Sequence, residues 1–71
     1  MIPMYPVLRQ RMREQRVTCK EVAAAAEISL PAFYMRLFGF KQWELPEVVR
    51  ICCFFRTPDA EHLFVRKHTK P

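Results

Sequence analysis

The segment from Thr18 to Ser29 (Thr-Cys-Lys-Glu-Val-Ala-Ala-Ala-Ala-Glu-Ile-Ser), with Pro31 behind it and Gly39 closing it, constrains this chain more than any other stretch. Thr18 and Glu21 stand at capping-box spacing, which starts a helix. Val22, Ala23 and Ala26 then recur at helical spacing as an apolar stripe of small residues, suited to a close helix crossing. Ile28 anchors a turn. Ser29 opens a second helix whose buried side holds Phe33 and Leu37, four residues apart. Pro31 has no amide hydrogen and must lie in the first turn of that helix. With Ser29 as cap, its hydroxyl reaches only the Ala32 amide; Leu30 as cap, with Pro31 at the first helical position, is the competing register. Two short helices joined by a three-residue turn are a helix-turn-helix arrangement, in which the second helix can lie in a DNA major groove.

Other elements follow from caps and breakers. A first helix is expected from about Pro6 to Gln15, covering the core with Val7, Leu8, Met12 and the stem of Arg11. Val17 plugs the gap to a second helix over Cys19–Ala26, and a third runs from Leu30 to Phe38. Gly39, the only glycine, fits the left-handed position that ends a helix. Residues 40–44 form a loop with Trp43 turned inward. A fourth helix, from about Leu45 to Phe55, is expected to bury Leu45, Val48, Val49, Cys52 and Phe55. Thr57-Pro58-Asp59 reads as cap, proline and first-turn acid of a short fifth helix, closed by Leu63 and Phe64. The expected fold is thus all-α: a compact five-helix bundle containing the helix-turn-helix. It forms one domain over residues 1–71, with a core over about 5–65 and a frayed tail over 66–71.

Composition narrows the function classes. No run of about 18 apolar residues is present, as a membrane span needs, and Met-Ile-Pro-Met-Tyr-Pro lacks the parts of a signal peptide. A cytoplasmic protein is expected. Cys19, Cys52 and Cys53 are an odd count, two of them adjacent on one helix and so pointing about 100° apart; reduced, buried thiols are the expectation. Cys52, Cys53, His62 and His68 match no zinc spacing, so no metal is expected. There is no glycine-rich phosphate loop, paired carboxylate motif or nucleophile arrangement, so neither a cofactor nor an enzyme is expected.

Thr18, Lys20, Glu21, Ala23, Ile28, Ser29, Leu37 and Gly39 also stand where the lambda-repressor/Cro superfamily (the xenobiotic-response-element type) often has T-x-K-E-L-A…I-S…L-x-G. Tyr5-Pro-x-Leu8-Arg9, Trp43-x-Leu45-x-Glu47 and Leu63-Phe64 extend the match outward. The chain resembles the small phage-type and mobile-element regulators of that superfamily over roughly residues 5–65. The order and spacing of these residues carry the resemblance, rather than any single one of them. It implies a sequence-specific regulator that binds double-stranded DNA as a homodimer, the third helix in the major groove.

The net charge of +5 and a pI near 9.6 favour a polyanionic partner. Arg9, Arg11, Arg13 and Arg16 gather on the first helix, although arginines there can equally just solvate an exposed face. Carried onto this chain, the DNA-contacting set is Thr18, Lys20, Ser29, Leu30, Pro31, Tyr34, Arg36, Lys41 and Gln42. Lys20 supports a phosphate held at the amino end of the second helix. Lys41 and Gln42 follow the third helix where family members commonly touch the backbone. Arg36 is expected on the outer side, at a phosphate or in a surface ion pair. The third helix departs from the family on its groove face: Leu30, Pro31, Ala32, Met35 and Phe38 are apolar and only Tyr34 has a polar handle. Bidentate purine recognition needs Arg, Asn or Gln. Glu27 stands where the turn often has Gly. The alternative is a helix-turn-helix domain repurposed for protein binding, as an inhibitor or assembly partner, through Leu30, Tyr34, Met35 and Phe38. Self-association is expected through the C-terminal part, with Phe54 or Val65 left for a partner.

Overall fold

The computed structural model describes residues 4–66; of the tail expected at 66–71, residues 67–71 lie outside them. Among the described residues the chain forms five helices: α1 (Pro6–Gln15), α2 (Cys19–Ala26), α3 (Leu30–Leu37), α4 (Leu45–Phe55) and α5 (Ala60–Leu63). The all-α expectation holds, and no strand occurs in them. None of the helices is long and apolar enough to cross a membrane. α2 packs on both α3 and α4, while α5 packs on α4 and α1.

The starts follow the capping chemistry. Thr18 Oγ1 accepts the Glu21 N–H (3.1 Å) and Glu21 Oε1 accepts the Thr18 N–H (2.8 Å), a reciprocal box that opens α2. At α3 the Ser29 hydroxyl accepts the Ala32 N–H (3.2 Å), so Ser29 is the cap and Pro31 occupies the second helical position. The cap of α5 differs from the sequence expectation. Asp59, not Thr57, accepts the His62 N–H (3.0 Å), and Pro58 stands outside the helix. Thr57 lies at the end of α4 instead, its N–H donating to the Cys52 carbonyl (3.0 Å).

The first four helices all end by one device, the paired closure in which two successive N–H groups beyond the helix return to its last carbonyls. Val17 and Arg16 donate to Met12 and Arg13, and Ile28 and Glu27 to Ala23 and Ala24. Phe40 and Gly39 donate to Met35 and Arg36, and Thr57 and Arg56 to Cys52 and Cys53. Each closure needs one left-handed residue. Gly39 supplies it freely (φ 85°), but Arg16 (55°), Glu27 (62°) and Arg56 (56°) carry a Cβ into that region, at about 1–2 kcal/mol each. α3 therefore stops at Leu37, one residue short of expectation, with Phe38 as its boundary residue.

The core joins Tyr5, Leu8, Met12, Val22, Ala23, Ala26, Phe33, Leu37, Ile51, Phe55 and Leu63. Trp43 is only partly buried; it packs edge-on against Tyr5, Phe33 and Phe64. Its indole N–H is enclosed with no acceptor among the described residues, an arrangement that costs about 1–3 kcal/mol. The cysteines differ from expectation: Cys53 is exposed, and Cys19 and Cys52 are half-buried.

The largest departure is the rotation of α4. Its inward face is Glu47, Ile51 and Phe55; of the expected stripe Phe55 is buried and Val48 and Cys52 are partly covered, while Leu45 (75% exposed) and Val49 (52%) face out. Glu47 turns inward because Arg36, expected on the outer side of α3, is itself buried. The two residues retain 9% (Arg36) and 7% (Glu47) exposure, and Arg36 Nε donates to Glu47 Oε1 at 2.7 Å. Arg36 Nη1 also donates to the Ala32 carbonyl (3.1 Å), and the same Glu47 oxygen accepts the Glu44 N–H (3.1 Å) at the start of α4.

Two predictions follow from these contacts. Glu47→Ala strands a buried guanidinium and should cost about 3–5 kcal/mol, comparable to the whole stability of a core this small. Its far-UV circular dichroism should already show unfolding at 25 °C. The double variant Arg36→Met/Glu47→Leu should melt higher than either single variant, because neither charge is left alone. In the opposite direction, Arg16→Gly or Arg56→Gly should stabilise by about 0.5–1 kcal/mol, raising the melting midpoint by roughly 2–8 °C.

Candidate functional site

The site expected from the sequence has two halves, the amino end of α2 and the outward face of α3. The capping box satisfies the Thr18 and Glu21 amides but leaves those of Cys19 and Lys20 without an acceptor among the described residues. These two N–H groups lie at the positive end of the helix dipole, and the Lys20 side chain beside them is exposed. Thr18 and Ser29 are exposed too, with their hydroxyls engaged in capping.

Of the α3 positions, Pro31, Tyr34 and Met35 are exposed, while Leu30 and Phe38 are partly covered. Tyr34 stacks on Phe38 one turn later, centroids 6.3 Å apart and planes 21° from parallel. The neighbouring Cys19 side chain at the start of α2 pushes the Tyr34 phenol above the ordinary 10.0. Arg9 of α1 reaches the Cys19 sulfur, its Nη1 at 3.7 Å. α1, α2 and α3 thus meet around Cys19. Nothing local in the sequence pointed to this cluster, because Arg9 is ten residues and Tyr34 fifteen residues from Cys19.

Lys41 is fixed by its backbone: the Met35 carbonyl accepts both the Phe40 (2.8 Å) and Lys41 (3.2 Å) N–H groups. This places Lys41 at the carboxyl end of α3, with its side chain exposed and that of Gln42 exposed beside it. Arg36 is not part of this surface. Its charge is taken by Glu47, with Glu44 a further 3.8 Å contact, so it cannot reach a ligand without breaking the core. Glu27, out of place for an anion-binding surface, has a structural partner. Arg50 of α4 lies 3.3 Å from its carboxylate and also donates to the Ala26 carbonyl (3.4 Å), which ties the end of α2 to α4.

The basic balance is displayed unevenly. Arg11 lies 3.7 Å from Glu14, and Arg36 and Arg50 are paired as above. Arg13, Arg16, Lys20, Lys41, Arg56 and Arg66 are exposed without an acidic partner among the described residues. Arg66, assigned to the frayed tail from sequence, lies over the Tyr5 ring at 5.9 Å. Among the described residues no three His, Cys, Asp or Glu side chains group as a metal site. Comparison with protein-family models, with curated proteins and with solved structures finds no match to this chain.

The cluster at Cys19 gives a pH-dependent signal. Removing the thiol in Cys19→Ala should let Tyr34 ionise at lower pH. Ultraviolet absorbance of the phenolate across an alkaline titration measures the shift; an unmoved Tyr34 would mean that the thiol does not hold the hydroxyl.

Proposed function

We propose that the chain is a sequence-specific DNA-binding regulator of the lambda-repressor/Cro type, in which α2 and α3 act as the helix-turn-helix and α3 enters the major groove. One observation carries it: the amino end of α2 has the Cys19 and Lys20 amides unsatisfied among the described residues with the Lys20 side chain exposed beside them, and the helix that follows, α3, turns Pro31, Tyr34 and Met35 out to solvent. A phosphate at that amino end would fix the register of α3 in the groove. Lys20 and Lys41 supply charge near the two ends of the unit. They position the protein without reading sequence.

Base reading is the lesser part of the affinity. Leu30, Pro31 and Ala32 suit thymine methyl groups, and Tyr34 is the one polar group on that face. With Arg36 buried, the face has no bidentate purine reader, so preference rests on methyl contacts and duplex shape. A specific observation favours a second reading: Tyr34, Met35 and Phe38 form a contiguous, partly exposed aromatic and thioether surface. Such a surface suits a protein partner, which would make the domain an inhibitor or assembly partner.

Fluorescence anisotropy on labelled duplex pools at low and moderate salt separates the two. For a DNA regulator, log affinity should fall against log salt with a slope of about −0.9 per neutralised phosphate. Lys20→Ala or Lys41→Ala should weaken all sequences alike and flatten the slope by about 1, whereas Tyr34→Ala should blur preference among sites. No binding to any duplex at low salt would overturn the proposal and favour the protein partner.

A further inference from the structure

Three aromatic rings, those of Tyr34, Phe38 and Phe40, stand outside the core on α3 and the turn that closes it. Tyr34 is 40% exposed and Phe40 59%, with Met35 at 42% on the same helix. Phe38 rests on the Tyr34 ring rather than on the core cluster. The Phe40 ring has a fixed base, because its N–H donates to the Met35 carbonyl (2.8 Å) in the closure of α3. The free charge around these rings has one sign. Lys41 follows Phe40 and is anchored on the same Met35 carbonyl, while Arg9 and Lys20 flank Cys19, the neighbour of Tyr34. None of the three cations has an acidic partner among the described residues. The acids nearest in sequence are engaged elsewhere. Glu21 accepts the Thr18 amide (2.8 Å), and Glu27 and Glu44 lie at Arg50 (3.3 Å) and Arg36 (3.8 Å).

Exposed rings fringed by free cations discriminate among occupants. A protein covering this face would need a matching fringe of acids. A duplex hides its base faces in the stack and presents donor and acceptor edges, which carbon rings cannot pair with. An unpaired strand offers flat base faces together with one phosphate per nucleotide, and so matches both features. We propose that this face binds single-stranded DNA, with bases stacked on the Tyr34–Phe38 pair and on Phe40 while Arg9, Lys20 and Lys41 hold phosphates. Every base has a π-face, so such binding tolerates many sequences, in keeping with a face that lacks a bidentate purine reader. Thymine-rich strands suit it best, because their methyl groups add contact with carbon. Tyr34 is the one polar group of the α3 face, too little to select a ribose 2′-hydroxyl. The proposal rests on the reading above for the DNA phosphates and departs from it in the state of the strand, so the two can fail separately.

Fluorescence anisotropy of the intact chain on a labelled thymidine oligomer of about 12 nucleotides should show tighter binding than on duplex of that length. The salt slope should be about −0.7 per phosphate, against about −0.9 for the duplex. Phe40→Ala should weaken the single strand about 5- to 100-fold and the duplex far less, with the melting curve unchanged. Phe40→Leu keeps carbon but not the flat ring, and should recover little of that loss. Binding to the thymidine strand alone supports the proposal and removes the duplex reading. Duplex binding as tight as single-strand binding overturns the proposal and leaves that reading standing; no binding to either overturns both. An abasic strand that binds as well as thymidine, a uridine RNA that binds better, or a Phe40→Leu variant with wild-type affinity also overturns it.

Discussion

The buried contact between Arg36 and Glu47 fixes more of this molecule than any other interaction. Neither ion could be held without the other, because a lone charge at that depth carries a desolvation cost of several kcal/mol. Glu47 uses one oxygen for two tasks, accepting from the guanidinium (2.7 Å) and from the Glu44 amide at the start of α4 (3.1 Å). The same contact therefore sets where α4 begins, how it is rotated and how it meets α3. Arg50, reaching from α4 to Glu27 and to the Ala26 carbonyl, repeats the arrangement towards α2 at the surface, where the energetic return is small.

Helix boundaries were legible because they are written locally. Thr18 with Glu21, Ser29 with Pro31, and Gly39 each act over three or four residues, and the helices lie where those signals put them. The faces were legible only where hydrophobicity alone decides, as for Leu8 and Met12 in α1 or Val22, Ala23 and Ala26 in α2. α4 is apolar nearly all round, so periodicity could not choose its inner side. The choice was made by an acid whose partner lies eleven residues away in another helix. The cap of α5 was misread because two capping residue types stand two positions apart: Asp59, whose type caps at least as well as Thr, takes the His62 N–H, while Thr57 belongs to the end of α4.

The candidate site divides in the same way. Lys20, Lys41 and the α2 cap could be placed from sequence because they sit at element ends. The Arg9–Cys19–Tyr34 meeting could not, since it depends on how three helices converge. It sets the surroundings of the one polar group on the outward face of α3. A surface that presents unpaired cations at its edges and mainly carbon at its centre suits positioning on a polyanion better than discrimination between bases.

Gly39 has a consequence beyond ending α3. A Cβ built on it would lie 2.8 Å from Met4 Cγ and 2.9 Å from Arg66 Nη2, and the Met4 amide is bonded to the Leu37 carbonyl (2.9 Å). The first and last described residues therefore converge on the same few ångströms of surface. A span whose two described ends, residues 4 and 66, meet at Gly39 is close to a closed ring over those residues. It can be spliced as a cassette into a loop of a larger protein with little disturbance to either. Equally, its ends can be joined by a short linker and the ring reopened between Lys41 and Gln42, where both side chains are exposed.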